Sequence, residues 1–347
     1  MKNHTALALI ALVFGFIIVS ASIGVSLLLS AGRSVSSDSS PAITFSMKSE
    51  HCIQGERLNE TFAICVPDCS KSGCELIETE LRTLGSAVRT LTGEQHSLKP
   101  VSNMRTLVRY TVTGSRLSAV FKQETTKEFE PLRDNRQLHE ELWKSLVRLL
   151  PESYLRDVSE LHIMSDGPGS LTSMVIPDPQ DPLLRIILID IKDWSSDRGV
   201  NDAQVVLDSI RINTAMTVMH PSQVSTQEDC TVSESDFVCA ADGSILSDFA
   251  GLHWSAGDYE TAAALEDIRQ PELTDARYAA YLEKRSNFVN PYAVTSPEYD
   301  LAETMTEFVI GSRPSNERPV DRKVLFLYTR PEMLALRDFL RGRIASQ

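Results

Sequence analysis

Metal-binding or proton-transferring chemistry would have to come from a small set of side chains, among them seven histidines. Zinc hydrolases of the HExxH type need two histidines one helical turn apart, so that both imidazoles point at one ion, and a glutamate that activates the bound water. His139 and Glu140 begin such a motif, but Trp143 occupies the position of the second histidine. We therefore expect a solvated His-Glu pair here, and the chain contains no complete HExxH motif.

The other candidate groups are scattered over separate predicted elements. Each histidine is expected to be solvated or hydrogen-bonded, with one alternative left open, a zinc site formed by His162, His220 and His253. Asp190 and Asp193, in the segment LIDIKDW, could form a carboxylate pair, although the simpler interpretation is that they end a strand. No G-x-S-x-G motif of serine hydrolases is present. The residues by themselves therefore assign no catalytic group.

The cysteines favour an extracytoplasmic compartment. They are even in number and all follow the apolar N-terminal segment, which is typical of disulfide bonding under oxidising conditions. The spacing Cys65-x3-Cys69-x4-Cys74 differs from the CxxC of zinc knuckles, so disulfides are favoured over a metal site. The sequence assigns no pairing. The disulfide candidates are Cys52, Cys65, Cys69, Cys74, Cys230 and Cys239.

The N-terminal segment predicts a membrane attachment. Residues 6–31 carry no charge and are long enough to span a bilayer, which predicts a transmembrane helix or signal anchor. Residues 1–5 would then be a cytoplasmic tail, and the bulk of the chain would be extracytoplasmic. The alternative is a cleaved signal peptide, because Ser-Ala-Ser and Ser-Ala-Gly offer small-residue cleavage sites. In that case the protein would be secreted.

Three further regions follow the apolar segment. Residues 32–50 include the stretch SVSSDSSP and predict a flexible stalk. Residues 51–130 are predicted to form a Cys-rich N-terminal region, in which Asn59 begins a glycosylation sequon. Residues 131–347 are predicted to form the main domain.

The overall charge excludes one class of partner. Asp and Glu outnumber Lys and Arg by 47 to 34, which gives a formal net charge of −13, and no basic run stands out. A surface of this sign repels a phosphate backbone, so nucleic-acid binding is excluded as the main function. The hydrophobic content of 42% is sufficient for a buried core.

The elements that must position these groups include both helices and strands. A leucine stripe predicts a helix over Asn135–Leu150, and Ser296 followed by Pro297 marks the start of another. The segment from Asp202 to Pro221 predicts an amphipathic helix that the proline ends. Together the elements predict an α+β fold with a short, mostly antiparallel sheet packed with helices. The predicted strands are Thr106–Val112, Leu117–Phe121, Glu160–Met164, Leu171–Ile176 and Leu184–Ile191.

Two C-terminal segments carry a resemblance to a known family. From Asn287 the chain reads NFVNPYAVTSPEYDLAETMTEFVIGSRP, and KVLFLYTRPEMLALRDFLRGRI follows. These segments resemble PYA-x6-D-x-AE-x4-FV and K-x-x-F-x-Y-x-x-P-E-x3-L-R of a family of secreted or lipid-anchored bacterial zinc metallopeptidases. Upstream, LHIMSDGPGSLTSMVIPDP and LIDIKDW resemble the strands before the family's active helix, and PSQV resembles the end of that helix. The resemblance covers about residues 142–344 and implies a metallopeptidase-like domain, with Cys230 and Cys239 as a cysteine pair.

The family's metal-binding motif falls on residues that cannot bind a metal. Alignment on PSQV puts the HExxH of the family on RINTA, Arg211–Ala215. Arg211 then replaces the first histidine, Ile212 the glutamate that activates water, and Ala215 the second histidine. Glu303, in DLAETM, keeps the type of the third ligand. A lone carboxylate cannot hold zinc and isoleucine cannot activate water, so the resemblance implies a pseudopeptidase without a cofactor.

The lost metal position leads to an expectation about charge. A buried carboxylate without a partner is costly, so Arg211 and Glu303 are expected to form an ion pair that replaces the charge of the ion. The alternative is that Arg211 points to solvent and Glu303 is an exposed helix residue.

The resemblance also implies a function. A membrane-anchored, catalytically inactive domain would bind a protein or peptide partner in the remnant cleft. Two alternatives stay open, an active zinc hydrolase with a rearranged metal site and a structural ectodomain whose cleft has no function.

Overall fold

The computed structural model describes residues 56–59, 64–67, 81–90, 104–167, 171–196, 199–225, 239–268, 272–315 and 317–345. All of them belong to one unit, Ser46–Gln347. The predicted tail, membrane segment and stalk, residues 1–50, lie outside this part of the chain. No helix among the described residues is long and apolar enough to cross a bilayer. Four disulfide candidates also lie outside the described residues, so their pairing stays a prediction: Cys52, Cys69, Cys74 and Cys230.

The described residues contain one large sheet and three two-stranded pairs. In chain order the strands are β1 (Glu56–Asn59), β2 (Ile64–Pro67), β3 (Arg105–Thr113), β4 (Arg116–Lys122), β5 (Val158–Ser165), β6 (Ser173–Pro177), β7 (Arg185–Asp190), β8 (Ser195–Ser196), β9 (Gly199–Val200), β10 (Val224–Ser225) and β11 (Cys239–Ala240). The large sheet has the order β4-β3-β5-β7-β6, with antiparallel pairings except between β5 and β7, which run parallel.

The described residues also form twelve helices. In chain order they are α1 (81–90), α2 (Glu130–Asp134), α3 (Arg136–Arg148), α4 (Glu152–Arg156), α5 (Ile191–Trp194), α6 (Asp202–Val218), α7 (Ile245–His253), α8 (Ala256–Glu266), α9 (Glu272–Lys284), α10 (Pro297–Ile310), α11 (Pro319–Leu327) and α12 (Pro331–Ala345). The predicted α+β class is confirmed, and the sheet is a mixed one.

The sheet is buried at β7 and exposed at β4. All six residues of β7 are buried, because β5 and β6 flank the strand and its side chains alternate between two apolar clusters. Ile187 and Ile189 join the larger cluster, whereas Ile186 and Leu188 join the smaller one. An unbroken apolar run is the pattern expected of a strand that is covered on both faces.

Helix α6 lies at the centre of the helical layer, in contact with β6, α3 and α10. It is buried on nearly all sides, so the predicted amphipathic character is wrong. The predicted bounds of the helix agree with the structure. Its polar side chains are compatible with burial because they bond to main-chain groups. Asn213 Nδ2 donates to the carbonyl oxygens of Leu149 and Ser209, and Thr217 Oγ1 donates to that of Asn213.

The start of α10 follows the local signals in the sequence. Ser296 adopts an extended conformation as the N-cap, and its hydroxyl accepts a hydrogen bond from the Tyr299 amide. Pro297 occupies the first helical position, where a missing amide hydrogen costs nothing. These contacts confirm the predicted helix start, and they set the position of Glu303 two turns later.

Strands from both sides of the predicted boundary at residue 130 share the large sheet. β3 pairs with β5 along most of its length, and β2 contacts α12. The described part of residues 51–130 is therefore continuous in structure with residues 131–347. Strand pairing crosses the predicted boundary, and the division into two regions stays a prediction.

The glycosylation sequon lies in a buried position. Asn59 is 3% exposed, and its Nδ2 donates to the carbonyl oxygen of Ala335 at 2.8 Å. The folded chain therefore does not present the amide nitrogen that would carry a glycan.

Candidate functional site

A cavity of about 370 Å³ lies between β6, α6 and α10. Arg211 and Ala215 face it together because residues four apart share one face of a helix. Helix α10 packs against α6 and adds Glu303 to the same wall. The cavity is lined by all four positions that the family resemblance assigns to the lost metal site: Arg211, Ile212, Ala215 and Glu303.

Arg211 forms an ion pair with Glu303 and contacts a second carboxylate. Its Nε donates to Glu303 Oε1 at 2.7 Å, and its Nη1 donates to Asp208 Oδ1 at 3.1 Å. The side chains of Glu303 and Asp208 are 2% and 0% exposed, compared with 17% for Arg211. The expected ion pair is therefore present, and the alternative of a solvent-facing Arg211 with an exposed Glu303 is wrong.

Further side chains donate hydrogen bonds to both carboxylates. Glu303 Oε2 accepts a hydrogen bond from Asn290 Nδ2 at 2.5 Å. Asp208 accepts from Thr172 Oγ1, Trp194 Nε1 and Gln204 Nε2 at 2.8, 2.6 and 2.7 Å. Satisfied hydrogen bonds of this kind offset part of the cost of burying charge.

The electrostatic environment keeps Arg211 charged. Burial opposes its charge, but the neighbouring carboxylates of Glu303 and Asp208 outweigh burial, so the pKa of Arg211 is raised. The ring of Tyr292 lies 5.7 Å from the Arg211 guanidinium, and burial raises the pKa of Tyr292 to about 12. The phenol is therefore neutral at physiological pH and adds no charge beside the ion pair.

This arrangement cannot perform HExxH hydrolysis. An arginine side chain only donates hydrogen bonds, so Arg211 is no substitute for a metal-binding imidazole. Ile212 is 1% exposed and carries no base. Both carboxylate oxygens of Glu303 already accept hydrogen bonds, from Arg211 and Asn290. The geometry instead provides a partly apolar recess with fixed polar groups, which is the usual composition of a binding site.

The two middle residues of the RINTA segment point in different directions. Thr214 lines the cavity, and its hydroxyl donates to the Ile210 carbonyl oxygen. Asn213 is fully buried and bonds to the main chain at Leu149. Asn213 is therefore the one residue of the segment that does not line the cavity.

His139 takes a structural role that the sequence did not predict. It is fully buried, with Nδ1 2.7 Å from the Tyr110 hydroxyl and Nε2 2.8 Å from the Leu132 carbonyl oxygen. Burial lowers the pKa of His139. The predicted solvated His-Glu pair is therefore wrong, because Tyr110 of β3 and the main chain of α2 cover the imidazole.

The histidines suggested as a zinc site are not brought together. Within the described residues, the single group of three or more ligands close enough to share a metal excludes His162, His220 and His253. His162 Nε2 lies 2.6 Å from Glu160 Oε2. His253 packs edge-on against Phe326 with 5.7 Å between ring centroids, and burial lowers its pKa to about 4.

The group that could share a metal consists of Asp166, Asp190 and Asp193. Asp190 both ends β7 and belongs to a carboxylate cluster, so the two interpretations of LIDIKDW apply together. Burial, followed by the charge of Asp193, raises the pKa of Asp190 to about 8. Asp166 was not predicted as a member, because only the pairing of β5 with β7 brings it there.

Sequence reasoning also missed hydrogen-bond partners of Arg211 and Glu303. Asp208 had a readable signal, since it precedes Arg211 by three residues on a helix, a spacing at which opposite charges meet. Thr172 and Asn290 reach the site from loops before β6 and α10, and no local pattern identifies them.

Comparison with known proteins adds no assignment. No protein-family model, curated protein or solved structure matched the chain. The metallopeptidase resemblance therefore stays a prediction, which rests on the order and spacing of the motifs quoted above.

Proposed function

We propose that the chain is a membrane-anchored, extracytoplasmic metallopeptidase-like protein that is catalytically inactive and binds a protein or peptide partner in the cavity between β6, α6 and α10. The observation that carries this proposal is the ion pair between Arg211 and Glu303. Under the family resemblance, these two residues fall at positions that would bind zinc.

The ion pair supports the loss of catalysis. In the resembling family a divalent ion would offset the charge of a glutamate at the Glu303 position. Here the offset comes from a guanidinium that is part of the chain, at 2.7 Å from the carboxylate. Removal of either partner would leave an uncompensated charge in a site that is nearly closed to water. The arrangement therefore holds together without a metal.

The position of β6 supports a polypeptide ligand. β6 pairs with β7 along one side, and no described strand pairs with its other side. Ser173, Met174 and Val175 of β6 line the cavity. An extended peptide that adds to such an edge gains main-chain hydrogen bonds and places alternate side chains in the adjoining recess.

Charged groups away from the ion pair could select among peptides. Arg277 and Glu298 both line the cavity. The Arg277 guanidinium lies 5.3 Å from the Tyr292 ring centroid and makes no ion pair with any described residue. Glu298 Oε1 is buried without a hydrogen-bond partner, while its Oε2 accepts from Ser296. A ligand with an acidic group beside Arg277 and a donor beside Glu298 would satisfy both.

A cavity-filling substitution tests the proposal. Purified full-length protein in detergent would be screened against short synthetic peptides, and the affinity of enriched peptides measured by fluorescence anisotropy. Ala215→Trp places an indole in the cavity and should weaken binding at least about tenfold, which corresponds to about 1.4 kcal/mol. The matched control is Leu252→Trp on α7, where the side chain is 68% exposed and affinity should not change.

Three outcomes would contradict the proposal. Tightly held zinc at one equivalent, together with chelator-sensitive peptide cleavage, is the result expected of an active hydrolase. Equal peptide binding by wild type and both tryptophan variants would place the ligand elsewhere. A purely structural ectodomain would show no enrichment of any peptide.

A further inference from the structure

Three carboxylates meet at one edge of the large sheet. Asp166 follows β5 directly, Asp190 is the last residue of β7, and Asp193 lies in α5. Because β5 and β7 are parallel neighbours, their carboxyl ends lie side by side. One oxygen atom from each aspartate lies within 4.8 Å of those from the other two. None of the three lines the cavity at Arg211, so the cluster is a separate feature.

The main chain fixes the carboxylate of Asp190. Asp190 is fully buried, and its Oδ2 accepts a hydrogen bond from the Asp166 amide at 2.8 Å. Its Oδ1 accepts from the Lys192 amide at 2.7 Å. Both oxygens are therefore held as acceptors in one orientation, and each retains a second lone pair. A preset carboxylate of this kind loses little entropy when it binds an ion.

Asp166 supplies an independent sign that a ligand is missing. The residue is 5% exposed, and its Oδ1 has no hydrogen-bond partner among the described residues. An unsatisfied buried acceptor costs on the order of its full desolvation penalty, so native structures rarely retain one without a reason. Neither Asp166 nor Asp190 forms an ion pair with a lysine or arginine among the described residues. An external cation would satisfy the Oδ1 atom of Asp166.

We propose that Asp166, Asp190 and Asp193 bind one hard divalent cation, Ca²⁺ or Mg²⁺, with water in the remaining coordination positions. Carboxylate oxygens are the donors that these ions prefer, whereas zinc and copper sites draw on nitrogen or sulfur. Three oxygen atoms within 4.8 Å of one another have a common centre at most about 2.8 Å from each, so shifts of a few tenths of an ångström bring them to the Ca²⁺–oxygen distance of about 2.4 Å.

The ion would brace the sheet edge next to the Arg211 site. It would join the ends of β5 and β7 to α5. The Asp190 amide donates to the Thr172 carbonyl oxygen at 2.8 Å, and the Thr172 hydroxyl donates to Asp208. Asp190, which would bind the ion, and Thr172 therefore link the ion to Asp208, a carboxylate that contacts Arg211. The role assigned to it is structural, and it does not depend on the proposed peptide-binding function.

Thermal unfolding with added cation tests the site. Full-length protein stripped with a chelator would be titrated with CaCl₂ or MgCl₂, and we expect the Tm to rise by roughly 5 °C at saturation, because an ion that binds only the folded state stabilises it. Asp166→Asn and Asp193→Asn keep the side-chain shape and should abolish the rise. Asp242→Asn, at an exposed turn outside the cluster, should keep it.

A direct binding measurement covers the case in which a cluster variant fails to fold. Tb³⁺ occupies Ca²⁺ sites, and its luminescence is sensitised by a nearby indole, here that of Trp194 in α5. We expect wild type to show Tb³⁺ luminescence that Ca²⁺ displaces. Absence of both the Tm rise and displaceable luminescence in wild type would overturn the proposal. So would a Tm rise that survives in folded Asp166→Asn and Asp193→Asn variants.

Discussion

Arg211 compensates the charge of two buried carboxylates with one side chain. It faces two carboxylates that are almost completely excluded from water, and it is the cation in contact with both. Replacing a buried ion pair as a whole by apolar groups can be neutral or stabilising, whereas removal of one partner leaves an unpaired charge that costs about 3–5 kcal/mol. The stability of the region should therefore respond very differently to single and paired substitutions.

A double-mutant cycle at the ion pair tests this expectation. Arg211→Met should lower the free energy of unfolding by about 3 kcal/mol, because Glu303 and Asp208 lose their cation. Arg211→Met combined with Glu303→Leu should be less destabilised than the sum of the single variants. Urea unfolding followed by tryptophan fluorescence measures all four proteins. An Arg211→Met variant as stable as wild type would mean that the guanidinium contributes nothing.

At the scale of residues, prediction succeeded where two distant segments were aligned to one family pattern. That alignment paired Arg211 with Glu303, 92 positions apart in the chain. It could not identify Asn290, whose amide reaches Glu303 from a loop. His139 was assigned to solvent because its own helix gives no information about Tyr110, which covers it from β3. Burial depends on what packs from elsewhere, and a local pattern does not contain that.

At the scale of elements, the strands and the longer helices followed local signals closely. The helices α8 and α11 were missed, since the small residues of α8 form no apolar stripe and α11 is short. The amphipathic interpretation of α6 failed for a different reason. Asn213, Thr214 and Thr217 look polar in the sequence, but each is buried and donates to a main-chain carbonyl oxygen.

The spacing on α6 permits a test of the family alignment. Arg211→His, Ile212→Glu and Ala215→His together create an HExxH motif, with its histidines one turn apart, on the face that meets Glu303. If the family alignment is right, the triple variant should bind one equivalent of zinc that wild type does not bind. Metal content after dialysis, measured by plasma mass spectrometry, is the readout.

A matched control decides whether zinc sits at the intended place. Adding Glu303→Gln to the triple variant removes the third ligand and should reduce zinc retention at least about tenfold. Loss of even a group that only supports a zinc ligand typically lowers metal affinity about 10- to 100-fold. Equal zinc retention with and without Glu303 would mean that the ion binds elsewhere. No zinc in the folded triple variant would contradict the alignment.

At the scale of the whole molecule, the large sheet contains strands from both sides of the predicted boundary at residue 130. β3 and β4 precede the predicted boundary, yet β3 lies between β4 and β5. Neighbours in a sheet can be distant in sequence, and strand order is fixed by packing that local composition does not contain. The membrane segment and four of the six cysteines, by contrast, lie outside the described residues, so the anchor and the cysteine pairing stay predictions.

Truncation tests this continuity. A chain that begins at residue 131 should aggregate, because the loss of β3 exposes an edge of β5 and removes the buried side chains of Leu107, Val108 and Tyr110. A chain that begins at Ser46 should remain soluble and unfold cooperatively. Soluble yield and thermal unfolding compare the two. A stable, cooperative 131–347 fragment would restore the boundary as a true domain limit.

The burial of Asn59 has a consequence for how the chain is made. Sugar transfer acts on extended nascent chains, whereas the contact between Asn59 and Ala335 joins positions 276 residues apart and forms only after Ala335 has been synthesised. A cell that glycosylates Asn59 in that interval would attach an oligosaccharide to a side chain that is buried in the folded protein. The β1–β2 hairpin would then be kept from its place against α12. Cells without this transfer machinery impose no such obstacle.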